Sequence, residues 1–327
     1  MPILEAPAEE YERARSGVVW RERALRGALR LNGADGSEFL QGQLTNDIVA
    51  LAPGTGCYAL LLNPKGKIRA DMRVLLTAPD ELVVESSQPA LDVLLQTIES
   101  HRVGFDFELA DHRHNCVLLS MIGPGSDGLA AALVEGELPG SAEHENSLVA
   151  ANGSSLLAVR TDLGLDLVLD GDIDAAQSLR DRLLELAGEP AGPATVEALR
   201  VETGRPLLGR ELDGETIPQE AGLNERAVSF TKGCYVGQET VARLFHKGKP
   251  NRHLRGLEMS RPAEPGEPVR FEEKQAGTVG TAVVSPVHGP IALAILRREA
   301  QPGDTVSIGE DASAVVVDPV FEPANRN

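Results

Sequence analysis

Cysteine is scarce: Cys57, Cys116 and Cys234 are the only three in 327 residues. Their odd number, wide separation and lack of C-x-x-C spacing argue against a disulfide framework and a preassembled zinc site. They also fall short of the several thiolates that hold an iron-sulfur cluster, so no permanently bound metal is expected. Aromatic residues make up only 3% of the chain, and its cores must therefore be built from Leu, Val, Ile and Ala. No stretch approaches the roughly 20 apolar residues that span a bilayer. Residues 1–16 are charged and lack the apolar centre of a signal peptide, so the expected location is a reducing cytoplasm, away from membranes. Cations are in the minority too, with 31 Lys and Arg against 49 Asp and Glu. A net charge of -18 disfavours non-specific nucleic-acid binding, which rests on many cationic contacts to phosphate.

The apolar content that is present has a readable order. Residues 28–33 read as a strand and turn, and Asp35 is the expected N-cap of a helix that begins at Gly36. A β-hairpin follows, with strands at 57–63 and 68–77 joined by Pro64-Lys65-Gly66-Lys67, then a strand at 81–85. Leu91, Leu94, Leu95 and Ile98 recur at helical spacing within 89–101. A similar round comes next: a strand at 117–122, a helix at 126–134, strands at 156–161 and 165–169, and a helix at 173–187. The fold class this predicts is α+β, with two related units of antiparallel sheet, each carrying helices on one side. Residues 189–193 punctuate the chain, and Thr195 is the expected N-cap of a helix over 196–202. Beyond Pro250, short strands at 254–259, 269–271, 277–284, 291–296 and 305–308 predict a small antiparallel β-barrel. The expected division is 1–112, 113–249 and 250–327.

Chemistry concentrates in Lys232-Gly233-Cys234-Tyr235-Val236-Gly237-Gln238-Glu239. Glycines permit close approach of a ligand, and a neighbouring lysine such as Lys232 favours a thiolate at Cys234. The alternative is an inert cysteine at a tight turn. Directly after it, residues 240–257 carry Arg243, Lys247, Lys249, Arg252 and Arg255, with His246 and His253, and no acid. In so acidic a chain this run reads as a local anion site.

These residues carry a resemblance. The motif just described, together with Arg200-Val201-Glu202-Thr203-Gly204-Arg205-Pro206, Gly209-Arg210-Glu211-Leu212 and Pro218-Gln219-Glu220-Ala221-Gly222-Leu223, resembles the folate-binding YgfZ family. That family is related to the aminomethyltransferase, or T-protein, of glycine cleavage. Residues 39–47 and 62–68 fit the same pattern, so the resemblance spans most of the chain.

It implies a tetrahydrofolate or other folate ligand, polyglutamylated forms included. Glu202 is implied as the pterin acceptor, with Arg200, Tyr235 and Gln238 beside it and Arg252 and Arg255 on the anionic tail. It also implies a folate-dependent role in iron-sulfur protein assembly or repair, with iron-sulfur client proteins as partners, an indirect link to tRNA modification and Cys234 as the reactive thiol. T-proteins have two neighbouring aspartates where this chain has Ala70-Asp71, so Asp71 stands alone as candidate acid. Two other readings stay open: a tetrahydrofolate-dependent aminomethyl- or one-carbon transferase, and a non-catalytic interaction module.

Overall fold

The computed structural model describes residues 4–321. The chain opens with β1 (Leu4–Glu5), α1 (Ala8–Ser16) and β2 (Val19–Glu22). A first unit follows: β3 (Arg26–Asn32), α2 (Gly36–Gln43), β4 (Thr55–Leu62), β5 (Ile68–Ala78), β6 (Glu81–Ser87), α3 (Gln88–His101) and β7 (Glu108–His112). The second comprises β8 (Cys116–Ile122), α4 (Ser126–Ala131), β9 (Asn146–Ala151), β10 (Ser154–Arg160), β11 (Gly164–Asp170) and α5 (Ile173–Ala187). Three helices, α6 (Pro193–Glu202), α7 (Asn224–Ala227) and α8 (Gln238–Lys247), lead to the last strands. These are β12 (Arg252–Met259), β13 (Pro268–Phe271), β14 (Lys274–Ser285), β15 (Gly289–Arg297), β16 (Thr305–Ile308) and β17 (Ala312–Val317).

The strands form one sheet in the order β4-β5-β6-β3-β7 and another in the order β2-β8-β11-β10-β9. The final six close on themselves as β14-β13-β16-β17-β12-β15, because β15 pairs back with β14, and β1 adds in parallel outside. The expected α+β class and C-terminal barrel are therefore present.

Alternation along each strand sorts the residues into layers. In the first sheet Leu29, Leu31, Met72, Val74, Leu82 and Val84 meet Leu91, Leu94 and Ile98 of α3 in one core. In the second, Leu119, Met121, Leu165 and Leu167 meet Leu179 and Leu183 of α5. Each leucine so buried contributes roughly 1.5–3 kcal/mol relative to exposure. The opposite faces turn toward each other, where Ala28, Leu75, Val83, Leu118, Leu157, Val159 and Val168 make a thin apolar seam.

Several details depart from the sequence-based expectation. Thr195 does not cap α6; Gly192 precedes it, Pro193 opens it, and the Thr195 hydroxyl donates to Glu10. Asp35 does stand at the N-cap of α2, but its carboxylate accepts from Asp106 N at 2.8 Å instead of from the helix. The helix expected over 126–134 stops at Ala131. Strand β2 pairs with β8, so the expected first unit, 1–112, lends a strand to the sheet of the second. Strands β7, β9 and β17 were not anticipated.

Candidate functional site between the two sheets

The inner faces hold charge as well as apolar seam. On β5, Met72 and Val74 enter the first core, so Asp71 and Arg73 must face the second sheet. By the same alternation Arg26 of β3, Glu85 of β6, Ser120 of β8 and Asp166 of β11 face inward. Arg73 bridges the sheets, donating from Nε to Glu85 at 2.8 Å and from Nη1 to Asp166 at 2.7 Å. Arg26 forks onto Glu85 at 2.5 and 2.7 Å, and Ser120 Oγ donates to Asp166 at 2.6 Å. Burial alone would raise the Glu85 pKa, but the two guanidiniums outweigh it and draw it down to about 2.

Beside this network lies a second cluster. Tyr58 OH donates to Asp71 Oδ2 at 2.7 Å. Burial, reinforced by the Asp71 charge, pushes the Tyr58 hydroxyl well above its ordinary pKa, so it remains a protonated donor. The Arg226 guanidinium lies 4.5 Å from the centre of the Tyr58 ring and pairs with Glu143. Glu143 also stands 3.5 Å from Arg205 Nη2 and 3.6 Å from His144 Nε2. His144 occupies a left-handed backbone conformation, φ 73°, and burial lowers its pKa to about 4, leaving it neutral at pH 7. Both its ring nitrogens, and Arg226 Nε, are buried without a hydrogen-bond partner. A carboxylate, a phenol and guanidinium groups at one locus suit a flat heterocycle that carries both donors and acceptors.

Glu202 lies elsewhere. It is 4% exposed and accepts from Tyr11 OH at 2.7 Å and Ser285 Oγ at 2.6 Å, with Arg15 3.6 Å away. It thus ties α6 to α1 and to β14, at the edge of a cleft of about 550 Å³ that Arg15, Gly123, Arg160, Leu163 and Phe321 help to line. Arg200 is held by Glu197 at 2.9 Å, Thr281 at 2.7 Å and Glu211 at 3.4 Å. Among the described residues no hydrogen bond or ion pair joins Glu202 to Asp71.

The Cys234 motif spreads over three environments. Cys234 is exposed. Tyr235 is buried with Tyr58, Leu62 and Val241, and burial pushes its pKa up to about 12. Lys232 Nζ donates to the carbonyls of Gln41, Leu44 and Asn46 at 2.6, 2.7 and 2.7 Å. Its ammonium therefore caps the C-terminal end of α2, and burial draws its pKa down to about 8. The thiol whose titration it touches is that of Cys57. Gln238 opens α8, its backbone N donating to Tyr235 O at 3.2 Å.

The basic run also divides. Arg243, His246 and Lys247 lie on α8, whereas Arg252 and Arg255 lie on β12. Arg252 forks onto Glu220 at 3.0 and 2.7 Å, an acid supplied from outside the run. Arg255 is half-buried, with Nε unpartnered. Sequence reasoning passed over Tyr58, Arg226, His144, Arg26 and Asp166. A charge inside an otherwise apolar strand, as in Leu165-Asp166-Leu167, was the available signal.

Residues 3–232 match the family model described as the GCVT N-terminal domain. The chain is 28% identical over 309 residues to a putative chloroplastic transferase of Arabidopsis thaliana, covering 92% of this chain and 70% of that protein. It is 30% identical over 302 residues to an aminomethyltransferase of a Synechococcus strain, covering 89% and 83%. Its fold matches the crystal structure of the glycine cleavage system aminomethyltransferase T from Bartonella henselae with a TM-score of 0.84, at 23% identity over 96% of this chain and 89% of that one. With most of its length matched by one family model and one architecture, the chain belongs to the aminomethyltransferase-related family of the GCVT N-terminal domain.

Proposed function

We propose that this protein binds a reduced folate between its two sheets and serves iron-sulfur protein assembly or repair, with Cys234 as its thiol. The observation that carries the folate reading is the Asp71–Tyr58 pair, a carboxylate and a protonated phenol held 2.7 Å apart beside Arg226. Unsatisfied polar atoms at the same place, Arg226 Nε and the His144 ring, fit a ligand that brings its own donors and acceptors. A bound reduced folate would supply a nucleophilic ring nitrogen. Asp71 would accept a hydrogen bond from the ligand, Tyr58 would orient that carboxylate, and Arg226 would hold the Tyr58 ring in place from its face. The iron-sulfur part rests on the Lys232–Glu239 motif and on its exposed Cys234.

A second reading is tetrahydrofolate-dependent aminomethyl transfer. Likeness to aminomethyltransferases along most of the chain favours it, while the single acid at Ala70-Asp71 supports the first. Calorimetry with tetrahydrofolate tests the shared part. Asp71→Asn should weaken binding about tenfold, as loss of a charged hydrogen bond typically does, whereas Glu202→Gln should leave it near normal. The reverse result would move the pterin to the cleft beside Glu202, the position its resemblance implies. Transfer of a labelled one-carbon unit would select the second reading. Under the first, Cys234→Ser binds folate but fails to restore iron-sulfur enzyme activity in cells lacking the protein.

A further inference from the structure

Where the stretch between α6 and α7 crosses the outer face of the barrel, a cavity of about 380 Å³ draws arginines from three separate segments. Arg210 comes from that stretch, Arg252 opens β12 and Arg297 closes β15. Alternation fixes the two strand residues. Leu257 and Leu296 enter the barrel core, so Arg252 and Arg297 stand outside it, on the face of Leu254 and Ile295. Register then sets them side by side, since Arg252 lies directly opposite Arg297 in the antiparallel β12–β15 pair. Like charges so placed destabilise a sheet.

The acids nearby are turned to other donors. Glu211 accepts from Thr281 N at 2.7 Å, Leu207 N at 3.0 Å and Arg200 Nη1 at 3.4 Å. Asp213 accepts from Thr216 Oγ1 at 2.6 Å and Glu215 N at 2.9 Å, and Glu215 itself pairs with Lys67. Glu220 takes Nε and Nη2 of Arg252, which leaves Nη1 without a hydrogen bond among the described residues. The Arg297 side chain is exposed, and among the described residues no hydrogen bond or ion pair holds it. Gln275 and Thr278 of β14 add polar groups to the lining, and no aromatic side chain joins them.

We infer that this cavity binds a phosphate group, free or carried on a small polar molecule, held between Arg252 and Arg297 with Arg210 in its wall. A guanidinium offers a planar fork of donors, and a tetrahedral phosphate has enough oxygens to meet forks that arrive from different directions. A lone carboxylate has two oxygens, and one fork occupies both. The phosphate also offsets the repulsion between the facing arginines, which a neutral ligand would not do. A nucleotide fits less well, because its base finds no aromatic or broad apolar surface there. The inference stands apart from the folate reading, whose residues lie between the two sheets.

The test is calorimetry on the full chain in a zwitterionic buffer, with inorganic phosphate and glycerol 3-phosphate as probes. Both should bind saturably at one site, and the tighter of the two tells whether the phosphate arrives free or as an ester. Arg297→Gln should weaken that probe about tenfold, the size expected for hydrogen bonds from a charged donor. Arg297→Lys, which keeps the charge but not the fork, should lose less. Arg298→Gln removes an equal charge from the next residue, outside the cavity lining, and should leave affinity unchanged. Because Arg297 is exposed, its variants should keep the wild-type melting temperature, so a loss of binding reads the site and not the fold. No saturable heat from either probe in wild-type protein overturns the inference, as does unchanged affinity in Arg297→Gln. Equal loss in Arg297→Gln and Arg298→Gln overturns it in favour of a diffuse surface field. Tighter binding of triglutamate than of either phosphate probe, at matched ionic strength, overturns it in favour of carboxylates.

Discussion

Cys234 differs from the other two thiols in where its backbone leaves it. Cys57 and Cys116 lie half-buried on β4 and β8, whereas Cys234 is exposed between Gly233 and Tyr235. Burial pushes the Cys57 thiol up to about 12 and raises that of Cys116 as well, so both stay protonated at neutral pH. The thiolate is the attacking form. Iodoacetamide at pH 7 should therefore label Cys234 well before Cys57 or Cys116, as read by peptide mass spectrometry. Comparable labelling of Cys57 in folded protein would contradict this ordering. Replacing an exposed side chain normally shifts stability within about 0.5 kcal/mol, so Cys234→Ser should melt like wild type. Any functional loss in that variant then belongs to the thiol and not to the fold.

At the scale of elements, the junction between the β4–β5 turn and α8 is the most constrained. Gly237 stands at the N-cap of α8 with φ 84°, in the left-handed region that favours glycine. A Cβ there would meet Asn63 O at 2.5 Å and Leu62 Cβ at 3.1 Å. The turn leans back in turn, since a Cβ on Gly66 would meet Thr240 Cβ at 2.9 Å. Helix α8 has few other anchors: Val241 is its only buried residue, and half-exposed Phe245 stacks on Phe230 at 3.8 Å. Gly237→Ala should accordingly destabilise by roughly 1–3 kcal/mol, the usual cost of a strained backbone position, measured by urea unfolding. A loss below about 0.5 kcal/mol would show that the turn and helix adjust independently.

Across the whole molecule, Glu85 holds the two sheets in register. It is fully buried and receives Arg26 and Arg73, while Arg73 reaches over to Asp166 of the second sheet. Glu85→Gln would leave two guanidiniums short of a charge, and breaking a buried pair costs roughly 3–5 kcal/mol. Chemical denaturation at pH 7 should show a loss of that order; one under 1 kcal/mol would mean that water screens the network. The same carboxylate gives an acid signature. Its folded pKa, about 2, lies below the ordinary 4.5, so its stabilisation is complete above pH 4.5 and is lost as pH falls toward 2. Glu85→Gln should flatten that part of the stability profile.

The sequence by itself determined the repeated strand-helix order, the hairpin at Pro64-Lys65-Gly66-Lys67, the helices α3 and α5 and most barrel strands, because hydrophobic period and turn chemistry act over a few neighbouring residues. It offered Glu202, Asp71 and the Cys234 motif as candidates for the site. Only the tertiary structure decided which charges meet. Tyr58 and Arg226 are 168 positions apart, and Glu85 joins Asp166 through Arg73 across two sheets. Sequence gives each of them as an isolated charge or ring, since nothing local specifies how two sheets face one another. Lys232 illustrates the limit most directly. Two residues from Cys234 in the chain, it turns its ammonium to three carbonyls around the end of α2. Adjacency along the backbone does not set the direction of a long side chain; the available acceptors do.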